Sequence, residues 1–321
     1  MKKMKSLAVA MLFSFAAISF YQCTNDEDLF KGFEHEPDFH SLQEVHDMMN
    51  VSDTATTTIT NVATVNIFNG PKGTRLTFPE NSIKLVSGGE PVTPVTLKMV
   101  EVYKGGEIVR HNMQTFKNQS SMISGGIFWL GGTDATGSEI KVEGAQAILP
   151  YKTKAAGYQE DMSYHSGQLQ TKPSGNVNSW TSGSGNVTYD AAAGTNGEFT
   201  IENIGAGWNA PLSAYDFGES SGTQFSVQIT NSSNLEKTEV FFVSSDYTLV
   251  AALTNAENGI LSAQAGSIPN GMSGKLVAIA LIDGKLSFGA QDVVINGSDS
   301  FSFGINEGEL AALNALLNGI N

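Results

Sequence analysis

The amino-acid sequence predicts an all-β protein: two β-sandwich-like units joined by a loop-rich β segment, with a short N-terminal helix and a short C-terminal helix. Three observations lead to this prediction. Apolar and polar residues alternate with the period of two that is typical of strands, as in the run from Ala63 to Ile67. The chain contains 34 glycines, many of them in turn signals between such runs. Helical periodicity is confined to two short stretches, at residues 41–50 and 306–319.

The predicted organisation follows changes in composition along the 321 residues. It places a signal peptide at residues 1–22, an acidic tether and short helix at 23–50, an N-terminal β-sandwich at 51–150, a loop-rich β connecting segment at 151–217, and a C-terminal β-sandwich with its terminal helix at 218–321. With 40% hydrophobic residues the chain can bury a core, and its single cysteine has no partner for an internal disulfide. Stability is therefore expected to come from packed sheets.

The beginning of the chain has the pattern of a secretory signal. Lys2, Lys3 and Lys5 form a cationic start, and an uncharged, largely apolar run of 15 residues follows from Ser6 to Phe20. A membrane-spanning helix needs about 20 apolar residues. The run is short for a span and fits the apolar core of a signal peptide, so export is expected.

The only cysteine of the chain, Cys23, follows this run, and the acidic run Asp26-Glu27-Asp28 comes shortly after it. A cysteine in this position resembles the site at which bacterial lipoproteins are cleaved and acylated, for example with palmitate. The acidic run resembles the export signal of surface lipoproteins in the Bacteroidota. These resemblances imply a protein anchored in the outer membrane by lipid and displayed at the cell surface. The alternative is ordinary cleavage near Ser14-Phe15-Ala16, which would leave Cys23 as a free thiol.

Residues 41–50 are predicted to form a short helix. Ser41 and Glu44 have the spacing of a capping box, in which a serine hydroxyl and a glutamate carboxylate each accept a hydrogen bond from the backbone. Leu42, Val45 and Met49 would lie on one helical face. The helix is therefore expected to dock on the first sheet.

Three of the five histidines, His35, His40 and His46, occur close together in the tether and this helix. Imidazole and carboxylate groups are zinc ligands, so metal handling is one hypothesis for this stretch. The spacing matches no defined zinc motif, and a solvated acidic linker is the favoured interpretation. No metal or other cofactor is therefore predicted.

A modification site is predicted directly after the helix. Asp53-Thr54-Ala55 resembles the short Asp-Thr-apolar sequence that carries O-linked glycans in the Bacteroidota. The surrounding residues 51–60 are rich in threonine and serine, as is typical of a loop. Thr54 is the residue that would be glycosylated.

Strands of the N-terminal unit are bounded by glycine and proline. A strand at Thr74–Phe78 stops at Pro79, which has no backbone N–H to donate to a sheet. Further strands are predicted at Val95–Tyr103, Ile127–Leu130 and Ala145–Leu149. Short strands at this spacing, with turn signals between them, indicate a β-sandwich.

Four motifs of this unit occupy turns or strand ends. They are Gly73–Pro79, Val100-Glu101-Val102, Ser124-Gly125-Gly126 and Ile148-Leu149-Pro150. Together they resemble a sandwich module of Bacteroidota surface lipoproteins, which is distantly similar to the β-sandwich of ankyrins and netrin receptors. The resemblance covers about 90 residues. It implies a scaffold and supplies no catalytic residue.

The connecting segment has fewer strand signals and contains two tryptophans, Trp180 and Trp208. Strands are predicted at Met162–Tyr164 and Glu198–Ile201. In loops, the two indole rings would stack on a sugar or another partner, and both residues are candidates for that role. At a junction between sheets they would instead fill the core, which is the favoured interpretation.

Among the strands of the C-terminal unit, Lys275–Ile282 has the strongest apolar signal, as expected for a central strand. Asp283-Gly284 is a hairpin signal that leads into a return strand at Leu286–Ala290. Near the end of the chain, Asn306 is predicted to cap a helix. The apolar face of this helix is formed by Leu310, Leu313 and Leu317.

The sequence lacks the motifs of the common enzyme classes, including the nucleophile elbow, the His-Glu-x-x-His zinc site, the phosphate-binding loop and Cys-x-x-Cys. A net charge of −14 disfavours nucleic acid as a partner, because phosphate neutralisation requires clustered lysine and arginine. The expected function is that of an envelope-anchored, non-enzymatic lipoprotein acting as a binding, adhesion or structural module for a glycan or a surface protein. The alternative is an envelope hydrolase with paired carboxylates, although no pair of acids stands out in the sequence.

Overall fold

The computed structural model describes residues 38–50, 53–117, 120–167, 180–216, 222–232, 234–263 and 267–320. Within these ranges the chain forms 26 strands and three α-helices, so the predicted all-β fold with short helices is confirmed. Residues Phe39–Asn321 form one compact unit. In the ranges described, no helix has the length and apolar character needed to cross a bilayer.

The three helices are α1 (Leu42–Asn50), α2 (Gly105–Arg110) and α3 (Leu310–Asn318). The serine half of the predicted capping box of α1 is confirmed, because the Glu44 N–H donates to Ser41 Oγ at 3.2 Å. The Glu44 carboxylate accepts from the His40 N–H at 2.7 Å, one residue before the predicted N-cap. The predicted cap of α3 is wrong. Asn306 lies in a short strand, and the helix begins after Glu309.

The first fifteen strands end at Ala214. They are β1 (Thr54–Ile59), β2 (Asn66–Asn69), β3 (Arg75–Phe78), β4 (Ile83–Leu85), β5 (Val95–Val102), β6 (Phe116–Lys117), β7 (Ser120–Ser124), β8 (Ile127–Thr133), β9 (Ile140–Val142), β10 (Ala145–Pro150), β11 (Ser163–Ser166), β12 (Thr181–Ser182), β13 (Val187–Asp190), β14 (Glu198–Ile204) and β15 (Gly207–Ala214).

These strands form two large sheets and one small one. The eight-stranded sheet has the order β1-β5-β8-β15-β11-β12, with β7 also paired to β15 and β6 paired to β7. The five-stranded sheet has the order β13-β14-β10-β3-β2, and β4 pairs with β9. The two large sheets share one apolar core, which includes Leu97 and Phe128 from the first and Leu76 and Leu149 from the second. Sharing a core in this way is the arrangement of a sandwich.

Residues 151–217 do not stand between two separate units. Their strand β14 pairs with β10 in the five-stranded sheet, and β15 pairs with β8 in the eight-stranded sheet. Strands β11 and β12 extend the eight-stranded sheet beyond β15. Both large sheets therefore need this segment to reach their full width.

The last eleven strands are β16 (Gly222–Thr223), β17 (Ser226–Ile229), β18 (Thr238–Ser244), β19 (Val250–Ala252), β20 (Asn255–Glu257), β21 (Ile260–Ser262), β22 (Ile268–Pro269), β23 (Ser273–Ile282), β24 (Lys285–Val294), β25 (Ser300–Phe303) and β26 (Asn306–Glu307). They form a four-stranded sheet, β20-β21-β17-β25, a five-stranded sheet, β19-β18-β23-β24-β26, and the pair β16-β22. The predicted central strand is β23, and the hairpin at Asp283-Gly284 joins it to β24.

A second apolar core lies between the eight-stranded sheet and the sheet that contains β23. Successive residues of a strand face opposite sides of its sheet. Phe128 therefore faces the first core, while Trp129 faces the second. The three helices also contribute to the second core, for example through Val45, Val109 and Leu313. Helices α2 and α3 pack so closely that a Cβ atom on Gly106 would lie 1.9 Å from the Leu317 carbonyl oxygen.

Candidate binding groove

An open groove of about 450 Å³ lies at one end of the four-stranded sheet, where β17 and β25 begin. Most of its lining is polar. The lining consists of two carboxylates (Glu257, Asp299), two amides (Gln224, Asn258), three hydroxyls (Ser226, Ser262, Ser298) and two apolar residues (Phe225, Ile260). The volume is in the range of typical ligand sites, and the lining offers hydrogen-bond acceptors and donors in close succession.

One wall of the groove is the hairpin of β20 and β21. Its turn is Asn258-Gly259, with φ of 51° and 81°, and Glu257 pairs with Ile260 on either side of it. Two central residues with positive φ are typical of a type I′ turn, for which Asn-Gly is the preferred sequence. Glu257 is thereby fixed at the rim. The sequence prediction missed this hairpin, although the Asn-Gly signal was present.

The other wall precedes β25, on the opposite side of β17 in the sheet. The Asp299 carboxylate accepts a hydrogen bond from the Asn296 N–H at 2.7 Å, which closes a tight turn. The Gly297 N–H donates to Asn270 Oδ1 at 2.8 Å and ties this turn to a neighbouring loop. The parallel pairing of β25 with β17 then places Asp299 next to the start of β17.

Neither tryptophan predicted as a candidate for ligand stacking has an exposed ring. Trp180 is 1% exposed and donates its indole N–H to the Gln114 carbonyl at 2.8 Å. Trp208 is fully buried and meets the His111 ring edge-on, with centroids 5.4 Å apart. Both belong to the second core. The ligand-stacking assignment is therefore corrected to core packing, the interpretation that the sequence favoured.

The histidines of the metal-handling hypothesis are not brought together around a shared site. His46 is buried, with Nδ1 2.8 Å from the Arg110 carbonyl oxygen and Nε2 2.8 Å from Glu239 Oε2. Both ring nitrogens are thus engaged by oxygen acceptors. His40 is exposed, and His35 lies outside the described residues. Across the described ranges, no group of three or more histidine, cysteine, aspartate or glutamate side chains is arranged to hold a metal ion.

The predicted modification sites fall in two different places. Thr54 is half-buried and begins edge strand β1, opposite Val100. Its neighbour Asp53 forms an ion pair with Arg110 at 2.8 Å. Cys23 and the acidic run Asp26-Glu27-Asp28 lie outside the described residues.

Two buried or half-buried carboxylates do lie close together, beside the Gly70–Thr74 turn. Lys72 Nζ lies 2.8 Å from both the Glu101 carbonyl oxygen and Glu107 Oε1. The Glu101 carboxylate accepts from the backbone N–H groups of Lys72 and Thr74, and the Glu107 carboxylate accepts from that of Tyr103. These hydrogen bonds give both acids a structural role.

A small polar cluster near the edge strand β12 contains the buried residue His165. Its Nδ1 lies 2.9 Å from the Ser163 carbonyl oxygen and carries the hydrogen, so Nε2 accepts from Lys117 Nζ at 3.0 Å. Burial lowers the pKa of His165 below 6.5, and the Lys117 charge lowers it further, against the opposing effect of the bond to Ser163. The folded protein therefore favours the neutral imidazole.

This pKa shift predicts an acid-sensitive contribution to stability. Below pH 6.5 the unfolded chain takes up a proton at residue 165 before the folded chain does, so the free energy of unfolding decreases as the pH falls toward the lower folded pKa. The His165→Gln variant is expected to lose this contribution, which is at most about 1.4 kcal/mol per pH unit. Urea unfolding of wild type and variant from pH 7 to pH 5 measures the difference. Parallel pH profiles would contradict the prediction, and Lys117→Gln is expected to give an intermediate slope.

In comparisons with known proteins, no protein-family model matches the chain and no curated protein matches it.

Proposed function

We propose that this protein is a lipid-anchored lipoprotein of the cell envelope whose folded part binds a glycan in the polar groove. The observation that supports the glycan assignment is the groove lining. Glu257 and Asp299 provide charged acceptors on either side of β17, and Gln224 provides an amide that can both donate and accept. A sugar presents closely spaced hydroxyls, each of which donates and accepts, and such a ligand matches this lining better than an apolar molecule does.

The anchor part of the proposal rests on the N-terminal sequence. Lipidation at Cys23 would attach the chain to the outer membrane, and Asp26-Glu27-Asp28 would direct it to the cell surface. A net charge of −14 favours neutral or cationic partners over nucleic acid. Such a protein would meet glycans, or another surface protein, outside the cell.

A hydrolase with paired carboxylates is the second candidate, and one observation favours it. Glu257 and Asp299 line the same groove, as the acids of a glycosidase would. Binding needs both groups ionised as acceptors, whereas hydrolysis needs one of them protonated as a general acid. The Asp299 carboxylate already accepts a hydrogen bond from the Asn296 N–H, which gives it a structural role in the turn before β25.

A glycan screen on the full-length protein in detergent tests the groove. We expect one or more glycans to bind, and Glu257→Gln and Gln224→Ala each to weaken binding by about tenfold through loss of a hydrogen bond to the ligand. The matched control is Glu90→Gln, which removes one charge from an exposed loop outside the groove and should leave the affinity unchanged. The affinities are measured by isothermal titration calorimetry with the best glycan of the screen.

Three results would count against this proposal. Absence of any glycan signal would contradict it, as would equal affinities for Glu257→Gln and Glu90→Gln. Conversion of the bound glycan to shorter products by wild type, with loss of conversion in Glu257→Gln, would favour the hydrolase instead.

A further inference from the structure

Three half-buried tyrosines from separate parts of the chain contact one another. They are Tyr158, Tyr215 and Tyr247, called the tyrosine cluster below. Their ring centroids are 5.5–5.9 Å apart; Tyr158 and Tyr215 are stacked, and Tyr247 meets both edge-on. These are favourable aromatic geometries, so the rings support each other as one partly exposed aromatic surface.

The cluster is assembled from three separate parts of the chain, each fixed by the backbone. The Tyr158 N–H donates to the Ala155 carbonyl at 3.0 Å, and the Tyr215 N–H donates to the Ser121 carbonyl at 2.9 Å. In the turn between β18 and β19, the buried Ser244 Oγ accepts from the N–H groups of both Asp246 and Tyr247 at 3.2 Å. Hydrogen bonds within the fold therefore hold the backbone of each tyrosine.

Exposed acidic residues lie beside this aromatic surface. Asp216 and Asp246 are chain neighbours of Tyr215 and Tyr247, and the Asp216 N–H donates to the Tyr158 hydroxyl at 3.3 Å. Burial raises the pKa of Tyr158 and Tyr215, and nearby acids raise it further: Asp161 and Asp216 for the first, Asp216 and Asp246 for the second. Within the part of the chain that the structure describes, neither Asp161 nor Asp246 forms an ion pair with lysine or arginine. Lys154, which approaches this turn, donates to the Ser245 carbonyl at 2.7 Å.

Neutral aromatic faces beside carboxylates favour the binding of a cationic group. A guanidinium or ammonium group is attracted to the face of a tyrosine ring and gains a second attraction from an adjacent acid. Arginine suits the site especially, because its planar group can stack on a ring while its N–H groups reach a carboxylate. A neutral sugar would not benefit from the negative potential of the three aspartates.

We infer that the tyrosine cluster, with Asp161 and Asp246, is a docking site for an arginine-bearing segment of a protein partner. This site is distinct from the polar groove in its residues and in the charge of its ligand. The inference therefore stands whether or not the groove binds a glycan.

A peptide titration tests this inference directly. Full-length protein in detergent is titrated against a fluorescein-labelled peptide of four Gly-Arg repeats, and the affinity is read from fluorescence anisotropy. A peptide with citrulline in place of arginine keeps the shape of the side chain but lacks its charge. We expect the citrulline peptide to bind at least about tenfold more weakly, and the arginine peptide to bind more weakly as salt is added.

Matched variants separate this site from general attraction to an acidic protein. Tyr247→Leu and Asp246→Asn are each expected to weaken binding of the arginine peptide about threefold or more, whereas Tyr247→Phe retains the aromatic face and binds as wild type does. Glu90→Gln removes the same charge as Asp246→Asn from an exposed loop outside the cluster and should have a much smaller effect. Equal effects of Asp246→Asn and Glu90→Gln would overturn the inference, as would unchanged binding by a folded Tyr247→Leu variant or equal binding of the two peptides.

Discussion

Replacing Glu101 with alanine is expected to lower the free energy of unfolding by about 2–5 kcal/mol. Glu101 lies in β5 and is only 2% exposed. Its carboxylate accepts from the Lys72 N–H at 2.7 Å and from the Thr74 N–H at 2.8 Å. Alanine removes both acceptors and leaves these backbone donors without their partner. Thr74 is fully buried, so its N–H cannot readily recover the lost bond from water.

The geometry of the turn explains why a large effect is expected from one side chain. The chain reverses at Gly70–Thr74, where the Gly70 N–H donates to the Thr74 carbonyl at 2.7 Å. Gly70 has no side chain, and a Cβ atom there would lie 2.5 Å from the Glu101 carboxyl carbon. The carboxylate therefore fills the space beneath the turn and connects it to β5. Loss of this group affects the turn and the start of β3 together.

Two further variants define the cause of the loss. Glu101→Gln keeps the size of the side chain, but its NH₂ group would face one of the two backbone N–H donors, so a smaller loss of about 1–3 kcal/mol is expected. Glu143→Gln removes an exposed acid whose ion pairs lie at the surface, and a change below about 1 kcal/mol is expected.

Urea unfolding followed by tryptophan fluorescence measures all three variants. The signal is suitable because the three tryptophans are almost completely buried in the folded state. Similar losses in Glu101→Ala and Glu143→Gln would show that the buried carboxylate contributes little, contrary to the expectation.

Local signals in the sequence predicted local structure well. Alternation identified the strand that became β5, apolar runs identified β8 and β23, and the capping box identified α1. The alternating run Ala63–Ile67 lies in β2 only at its last two residues. The helix α2 was not predicted, and its first two residues are Gly105 and Gly106. Glycine is a poor helix former, yet the close approach of the Leu317 carbonyl leaves no room for a Cβ atom at residue 106. Packing between helices distant in sequence thus outweighs the local propensity.

The pairing of strands distant in sequence could not be predicted from the sequence pattern. Strand β15 was not predicted, although it lies at the centre of the largest sheet between β8 and β11. Alternation specifies which residues of a strand face the same side, but it does not specify the neighbouring strand. The contacts of Glu101 with Lys72 and Thr74 were unpredicted for the same reason, since they join residues 27 and 29 positions apart.

The candidate sites were likewise predictable only where a local sequence signal exists. The sequence favoured core packing for Trp180 and Trp208, and both are buried. The partly exposed aromatic residues include the tyrosines of the cluster, which come from three separate segments and have no shared motif. The groove likewise combines residues from β17, the β20–β21 hairpin and the turn before β25. Sites of this kind are defined by tertiary contacts, and only the Asn258-Gly259 turn left a local signal.

Replacing Cys23 with alanine is expected to abolish lipid attachment completely. Wild type produced in a Bacteroidota host should incorporate labelled palmitate and fractionate with the outer membrane, and Cys23→Ala should do neither. Anchoring by acyl chains contributes about 0.8 kcal/mol per buried CH₂ group, so loss of the chains removes the main attraction of an acidic protein to the membrane. The experiment is unambiguous because the chain has no second cysteine that could accept the label.

The proposal treats lipid anchoring and surface display as two separate steps. A matched variant tests surface display alone. Replacing Asp26, Glu27 and Asp28 with alanine should leave the palmitate label intact but reduce the fraction of protein that external protease can reach on whole cells. Label retained in Cys23→Ala would refute the anchor. An unlabelled wild type whose Cys23 reacts with a maleimide would instead support cleavage near Ser14-Phe15-Ala16, because only that route leaves a free thiol on the exported chain. Under that outcome, the groove and the tyrosine cluster would belong to a protein without a lipid anchor. Both binding experiments would still test them.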